Sequence, residues 1–574
     1  MVETGPVRFF RSFPRSVLVL AGLAACSSPD SAVLEVTPGG ETTTFTQSPA
    51  VTNLLIQMAT SSSTTTLGYA PVSATTISLS GQSEATTASF EATGLDAQDA
   101  AVVFGATLPF QLGAVVGNTI PIFVGRIGQF ARAPYPPMVF SADGGSAFDS
   151  RQAPVLSMVQ GQYLFIAGGS SPDGGGVTEG DAGLVFTPTA TTEIYDFGQF
   201  AAVGSPPTLP SLDAGALFAP QSVAVTGTVA WLIGAQGGMY FDLSSDAYDQ
   251  IPQPPAGAFP GSFADIAGGA TVTDDEGTQY IVGATRTTGP PTSVVLEINP
   301  NDTTNTNYLD GNVAWLALSE PRLGASATWV PGRGLVITGG SASGNGVEIL
   351  NPMTGTSTGL TTAGAPVPYP ADPSVGSGAA PLDGQHVLLA GGVLPSGQDA
   401  GVRVIDLACT TACAPTWWTS LPIALGTAQT FGFSTTSALV IGNEPLTGLT
   451  HAFVLTGPGS ATSVTDASAS PAQAAATQSE ASVAVSDAAA SDAASTQNDA
   501  AGPGTDAASL ADDAAVDDDA SGPGSAVEIL LPTYQDADAS PPGQLRNARA
   551  IWTPLGSIVV FGGYGVLDSF QPAP

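Results

Sequence analysis

The sequence predicts an all-β protein: a seven-bladed β-propeller preceded by a small β-sandwich. Three observations lead there. A β-rich apolar run ending in Gly-Gly, or in a degenerate form of it, recurs seven times along the 574 residues. From Gly234 to Gly442 the recurrence steps by 49, 56, 52 and 51 residues, close to the period of about 50 of one class of propeller blade. With 69 Gly and 47 Pro the chain is rich in turns, as short antiparallel strands require and helices do not.

Residues 1–25 read as an export signal. Arg8, Arg11 and Arg15 precede the short apolar run Ser16–Ala25, which is too short to span a bilayer. The run ends in Leu23-Ala24-Ala25-Cys26, which resembles the lipobox of bacterial lipoproteins. The resemblance implies cleavage before Cys26, lipidation of its thiol and a palmitate-bearing anchor. Ser27 follows with no adjacent Asp, which by the same resemblance favours the outer membrane of a bacterial envelope. Beyond this anchor no membrane contact is expected. Residues 26–50 are Ser/Thr/Pro-rich and read as a tether.

Residues 51–117 carry short alternating runs such as TNLLIQM and TASFEATG between Thr/Ser/Gly turns. They read as an Ig-like β-sandwich, with an extra propeller blade as the alternative.

The propeller is expected over 118–457 and 526–574. Its blade markers are YLFIAGG with Gly168 and Gly169, WLIGA with Gly234, YIVGA with Gly283, LVITGG with Gly339 and Gly340, HVLLAGG with Gly391 and Gly392, LVIGN with Gly442, and IVVFGG with Gly562 and Gly563. A second strand-like run follows the first six markers: TEIYDF, MYFDL, SVVLEINP, VEILNP, VRVIDL and HAFVLTG. The segments 325–340 and 548–563 align without a gap, matching Trp329 to Trp552. Gly-Gly after the second strand, then an acidic-aromatic run and a Trp, resembles the Kelch motif. Gly234, Gly283 and Gly442 depart from it, because Ala or Asn replaces the second Gly. Only Tyr564–Pro574 follow the seventh marker, with no evident pair of outer strands. The strand-like runs 120–126 and 128–136 have no partners upstream of the first marker. Residues 118–136 are therefore expected to close the last blade, removing an open edge.

Residues 458–525 contain 11 acidic and no basic residues among Ala, Ser, Thr and Gly. Such a stretch buries too little apolar surface to offset chain ordering, and reads as a disordered insertion within the sixth blade. VEILLP (527–532) resumes the strand pattern.

The charge pattern restricts function. There are 48 acidic residues against 12 basic ones, all of them Arg, for a net charge of -36. Nucleic-acid binding needs a positive footprint that this chain lacks. Without Lys there is no P-loop and no Schiff base.

Catalytic residues are not evident. His386 and His451 sit at strand starts, and no Gly-x-Ser-x-Gly elbow accompanies them. The Kelch resemblance extends to the central domain of galactose oxidase, whose copper site needs two His, two Tyr and a Cys cross-linked to Tyr. Cys409 and Cys413 read as a loop-closing disulfide of an exported protein, with two free thiols as the alternative, which leaves no Cys for such a site. No cofactor and no metal site is expected. The acidic turns with Asp173, Glu179 and Asp181, and with Asp274, Asp275 and Glu276, match no EF-hand spacing and read as solvated turns. Trp417 and Trp418 are candidates for sugar contact or for core packing. The sequence thus points to a monomeric, non-catalytic envelope protein that binds a protein or glycan through its loops. A propeller-scaffold enzyme and a purely structural surface protein are the alternatives.

Overall fold

The computed structural model describes residues 32–573, except 42, 75, 80–81, 137, 141–145, 149–150, 173–185, 204–205, 213–216, 253–260, 300–312, 342–344, 353–355, 360–368, 410–412, 459–523, 532–544 and 563–566. The signal, Cys26, nearly all of the acidic insertion, Gly563 and the turn with Asp173, Glu179 and Asp181 lie outside the described residues.

The protein is all-β. Its N-terminal unit has two sheets over one core. In the smaller sheet, strand 33–37 pairs antiparallel with 76–78 and parallel with 119–123. In the larger, the order is 64–71, 53–59, 87–95, 101–106 and 125–126, with 110–111 also on 87–95. Alternate residues of 53–59 and 87–95 are buried, as a period-two pattern demands when one face meets a core. Leu34, Leu54, Ile56, Phe90, Ile120 and Ile122 form that core.

This unit is larger than the 51–117 expected. Strand 33–37 lies in the stretch read as tether, and 119–126 belongs here as well. A five-residue strand offers too few alternations to stand out from a Thr-rich background.

After it come seven four-stranded antiparallel sheets among the described residues. The first six have the strand order of the sequence. Their first strands are 155–159, 222–226, 270–273, 326–330, 378–381 and 427–434. The sixth sheet takes its last strand, 525–528, from beyond the acidic insertion. In the seventh, 549–552, 558–561 and 567–570 are consecutive, and 130–132 from the N-terminal side pairs antiparallel with 567–570. The C-terminal tail therefore supplies one outer strand itself, which the sequence reading missed. Leu567–Phe570 is fully buried but short, and Asp568 hides its apolar pattern.

The first strand of each sheet lies against the first strand of the next, and 549–552 lies against 155–159, so the series closes on itself. Backbone hydrogen bonds between linkers reinforce it. Gly324 donates to Arg286 (2.7 Å), Gly376 to Gly324 (2.8 Å) and Ala428 to Gly376 (2.8 Å). At the closure, Asn547 donates to Gly448 (2.8 Å) and Ala153 donates to Asn547 (2.9 Å). Side chains bridge too. The Gln429 amide donates to Ala550 O and accepts from Ala550 N, both at 2.8 Å. Trp329 stacks on Tyr280 of the preceding sheet (5.9 Å), and Trp552 meets Phe431 of the sheet before it edge-on (6.0 Å). The gapless sequence match thus places both Trp on first strands, each against an aromatic ring of the preceding sheet, in different geometries.

Candidate functional site

The glycine markers are structural, and the two members of a pair do different work. At Gly340, φ is +66° and a Cβ would lie 2.7 Å from Leu323 O, so both conformation and space demand glycine. In three pairs the first glycine faces the next sheet: Gly168 meets Pro220, Gly339 meets Ser374 and Gly391 meets Leu425 and Ala428, whereas Gly562 meets Ala548 on the approach to its own sheet. The second faces the approach to its own sheet: Gly169 meets Gln152, Gly340 meets Leu323 and Gly392 meets Ser377. In the degenerate markers only close approach remains. A Cβ on Gly442 would lie 2.5 Å from Thr427 O.

Sequence reasoning missed a second recurring feature. The second residue of the third strand is charged and buried in four sheets: Glu193, Glu348, Arg403 and Asp568. Three of these pair with a group just upstream of the same sheet: Arg151 and Asp372 lie in linkers, and Arg322 ends the outer strand 313–322 of the preceding sheet. Arg151 Nη2 meets Glu193 Oε2 at 2.5 Å and also donates to the carbonyls of Gly168 and Thr191. Arg322 meets Glu348 at 3.2 Å, with both side chains fully buried, and donates to Gly339 O and Asn345 O. In the fifth sheet the polarity is reversed. Arg403 stands on the strand and meets Asp372 of the linker at 2.7 Å. Burial pushes the Asp372 carboxyl up, but the Arg403 charge and hydrogen bonds from Ser374 and Arg403 outweigh it and hold the pKa below the usual range. The runs TEIYDF, VEILNP and VRVIDL displayed the pattern, each with a charge in second place.

His451 is the second residue of the third strand in the sixth sheet. Its Nδ1 lies 2.9 Å from Glu528 Oε1 and its Nε2 lies 3.3 Å from Glu444 Oε1. Glu444 comes from the loop between the second and third strands, and Glu528 from the outer strand paired opposite Phe453. The ring stacks on Phe453. Thus a histidine between two carboxylates occupies the ion-pair position. Glu528 is 77 residues away and comes into place only because the sheet resumes after the insertion. His386 is on the surface, held by Asp383 three residues earlier, with Nδ1 to Oδ2 at 2.8 Å.

The Asp274 turn is internally satisfied. Oδ1 accepts from the backbone N–H groups of Glu276 and Thr278, and Oδ2 accepts from the Tyr280 hydroxyl. Burial, reinforced by the Asp274 charge, drives the Tyr280 phenol far above its ordinary range. Asp275 accepts from the Trp329 indole. Among the described residues no group of three His, Cys, Asp or Glu is arranged to hold a metal ion. Cys409 and Cys413 are joined in a disulfide, their Cα atoms 5.8 Å apart.

Apolar side chains are exposed at one end of the sheets. Leu446, in the loop between the second and third strands of the sixth sheet, is 98% exposed. Tyr135, just beyond strand 130–132, is 75% exposed and has a φ of +46°, with Pro134 O beside it accepting from Tyr195. Trp417, on the outer strand of the fifth sheet, is 53% exposed, while Trp418 is buried in the core beside Leu455. All three lie toward the end that carries the Gly-Gly turns, where His451 and Glu444 also sit.

No helix among the described residues is long and apolar enough to cross a membrane. No family model matches the sequence, and no curated protein matches it. Among solved structures, the extracellular domain of BT4673 from B. thetaiotaomicron is similar at 11% identity and a TM-score of 0.32, covering 56% of this chain and 35% of that one. PorZ, a surface component of the type-IX secretion system of Porphyromonas gingivalis, is similar at 10% identity and a TM-score of 0.22, covering 54% of this chain and 44% of that one. The chain thus spans less than half the length of either. At these TM-scores the likenesses assign neither fold nor function.

Proposed function

We infer that the seven sheets are blades of a Kelch-type propeller following an Ig-like sandwich, and that the protein binds a protein or glycan partner at the Gly-Gly end. The address belongs to the same reading: export, lipidation at Cys26 and attachment to the outer membrane. The closed series of first strands supports the propeller. The observation that carries the binding role is the set of exposed apolar side chains at one end, Leu446, Tyr135 and Trp417. Exposed aromatic and aliphatic groups on loops held by a rigid scaffold are what a binding surface needs.

The test uses the full chain carrying Cys26→Ser, screened on a glycan array and by cross-linking to envelope proteins. Tyr135→Ala with Leu446→Ala should weaken the captured interaction at least about tenfold without moving Tm. Unchanged binding rejects the surface. Loss of lipid labelling in Cys26→Ser checks the anchor separately.

His451 between Glu444 and Glu528 favours a second reading, as a hydrolase or lyase. It is the weaker one, because His451 stands where three other sheets place buried ion pairs.

A further inference from the structure

Strand 130–132, which closes the seventh sheet, has a second edge. Ala133 turns its N–H toward the C-terminal tail and donates to Leu567 O (2.8 Å). Main-chain groups of successive strand residues point to opposite sides, so Arg132 turns its N–H and C=O the other way. Left bare, such an edge is open to fraying or to a foreign strand. Here the N-terminal unit covers it. Gly40 N donates to Arg132 O (3.2 Å), and Arg132 N donates to Glu41 Oε1 (2.8 Å). The approach is close: at Gly39 φ is +75°, and a Cβ there would lie 2.3 Å from Arg132 O. The residues that follow are pinned as well. The buried Arg126 guanidinium donates to the carbonyls of Thr44, Gln47 and Pro49, and the Thr44 hydroxyl donates to Glu41 O (3.1 Å). Beside them Phe123, which ends strand 119–123, packs against Phe200 and shares a core with Phe561 and Leu567.

We propose that residues 38–49 are a strap that locks the ring: they hold strand 130–132 in the seventh sheet, so the seam stays shut only while the N-terminal unit is docked. The first six sheets draw their strands in sequence order, and each outer strand is retained by its own connection. The seventh depends on a strand from the other end of the chain, paired with the tail over only Phe130–Arg132. So short a strand makes few bonds of its own. The strap adds two, and one of them runs to a carboxylate, a class roughly twice as strong as a neutral bond. Burial pushes the Glu41 carboxyl up, and the bond from Arg132 N opposes it, so the charge is held in place by what it binds. The N-terminal unit is then a part of the ring closure and not a separate body on a tether.

Hydrogen exchange read by mass spectrometry on the full chain carrying Cys26→Ser tests this. Glu41→Ala and Gly39→Ala should each speed exchange in 130–133 and 567–570 at least about tenfold, as loss of a bond to a charged group predicts. Glu41→Gln keeps an acceptor for Arg132 N and should stay within about threefold of the parent. Exchange in strands 53–59 and 334–338 should be unchanged in all three variants, because neither the larger N-terminal sheet nor a remote blade needs the strap. Unchanged exchange at the seam in both Glu41→Ala and Gly39→Ala would overturn the proposal. So would an equal acceleration in 334–338, which would mean that the whole fold had loosened instead of the seam.

Discussion

Removing the Glu348 carboxylate should cost the protein about 3 kcal/mol. Glu348 and Arg322 are both fully buried, and Glu348 accepts from the Arg322 guanidinium through Oε2 and from Ser319 N through Oε1. Glu348→Ala strips Arg322 of its buried counter-charge and leaves the Ser319 N–H without its acceptor. Breaking one side of a buried pair typically costs about 3–5 kcal/mol. The lower end applies, because the half-buried Glu320 still reaches Arg322 at 2.7 Å. Equilibrium urea unfolding reads the effect: with m near 3 kcal/mol/M, the midpoint should fall by about 1 M. The double variant Arg322→Met with Glu348→Leu should recover to within about 1 kcal/mol of the parent, since apolar groups of similar volume escape the desolvation cost of both charges. A Glu348→Ala loss below about 1 kcal/mol, or a double variant as weak as the sum of the singles, would refute the buried-pair account.

Three further outcomes are expected. Asp372 has a lowered pKa in the fold, so its stabilising effect holds above the unfolded value of about 3.9 and fades as pH falls through the folded one. The Tm advantage of the parent over Asp372→Asn should therefore persist from pH 7 to about 4 and shrink below it; a constant advantage contradicts the ion pair. Glu297 has the opposite sign, because burial and then the nearby Asp274 charge raise its pKa. Glu297→Gln should raise Tm at pH 7, with the gain gone below about pH 4.3, where the carboxyl is protonated in both states; a loss at neutral pH would contradict it. Gly340→Ala should lose at least about 2 kcal/mol in urea, from the left-handed backbone together with the clash at Leu323 O; a loss within about 0.5 kcal/mol would show that the turn relaxes freely.

The repeat was legible in the sequence because its markers are local: an apolar run and a glycine turn occupy seven residues. The recurring charge on the third strand was equally local, but its meaning was not. Glu348 reads as an ordinary strand-edge acid until Arg322, 26 residues earlier, is placed beside it. Asp372 and Arg403 are 31 residues apart and reversed in order, so no fixed spacing links the pairs. The strands 33–37 and 567–570 escaped for another reason. Each is short, and each owes its burial to partners distant in sequence, 119–123 and 130–132. The exposed set was hidden too. Nothing in the residue types distinguishes Trp417, on the surface, from Trp418, in the core; the pleat decides between them.

Burial also changes what the net charge means. Of the nine Arg beyond residue 31, six are buried: Arg126, Arg151, Arg286, Arg322, Arg403 and Arg549. Several spend their donors on backbone carbonyls. Arg126 holds those of Thr44, Gln47 and Pro49, and Arg286 those of Ala264 and Pro290. A planar guanidinium with five donors can satisfy several fixed acceptors at once, which an ammonium on a flexible stem does less well. An Arg-only chain is therefore consistent with basic residues working inside the fold. The consequence lies outside. With most of its cations inside, the surface is more uniformly acidic than the composition suggests. Anionic partners are disfavoured by that charge, and among the described residues the exposed apolar side chains Tyr135, Leu446, Trp417 and Leu530 offer contacts that do not depend on it.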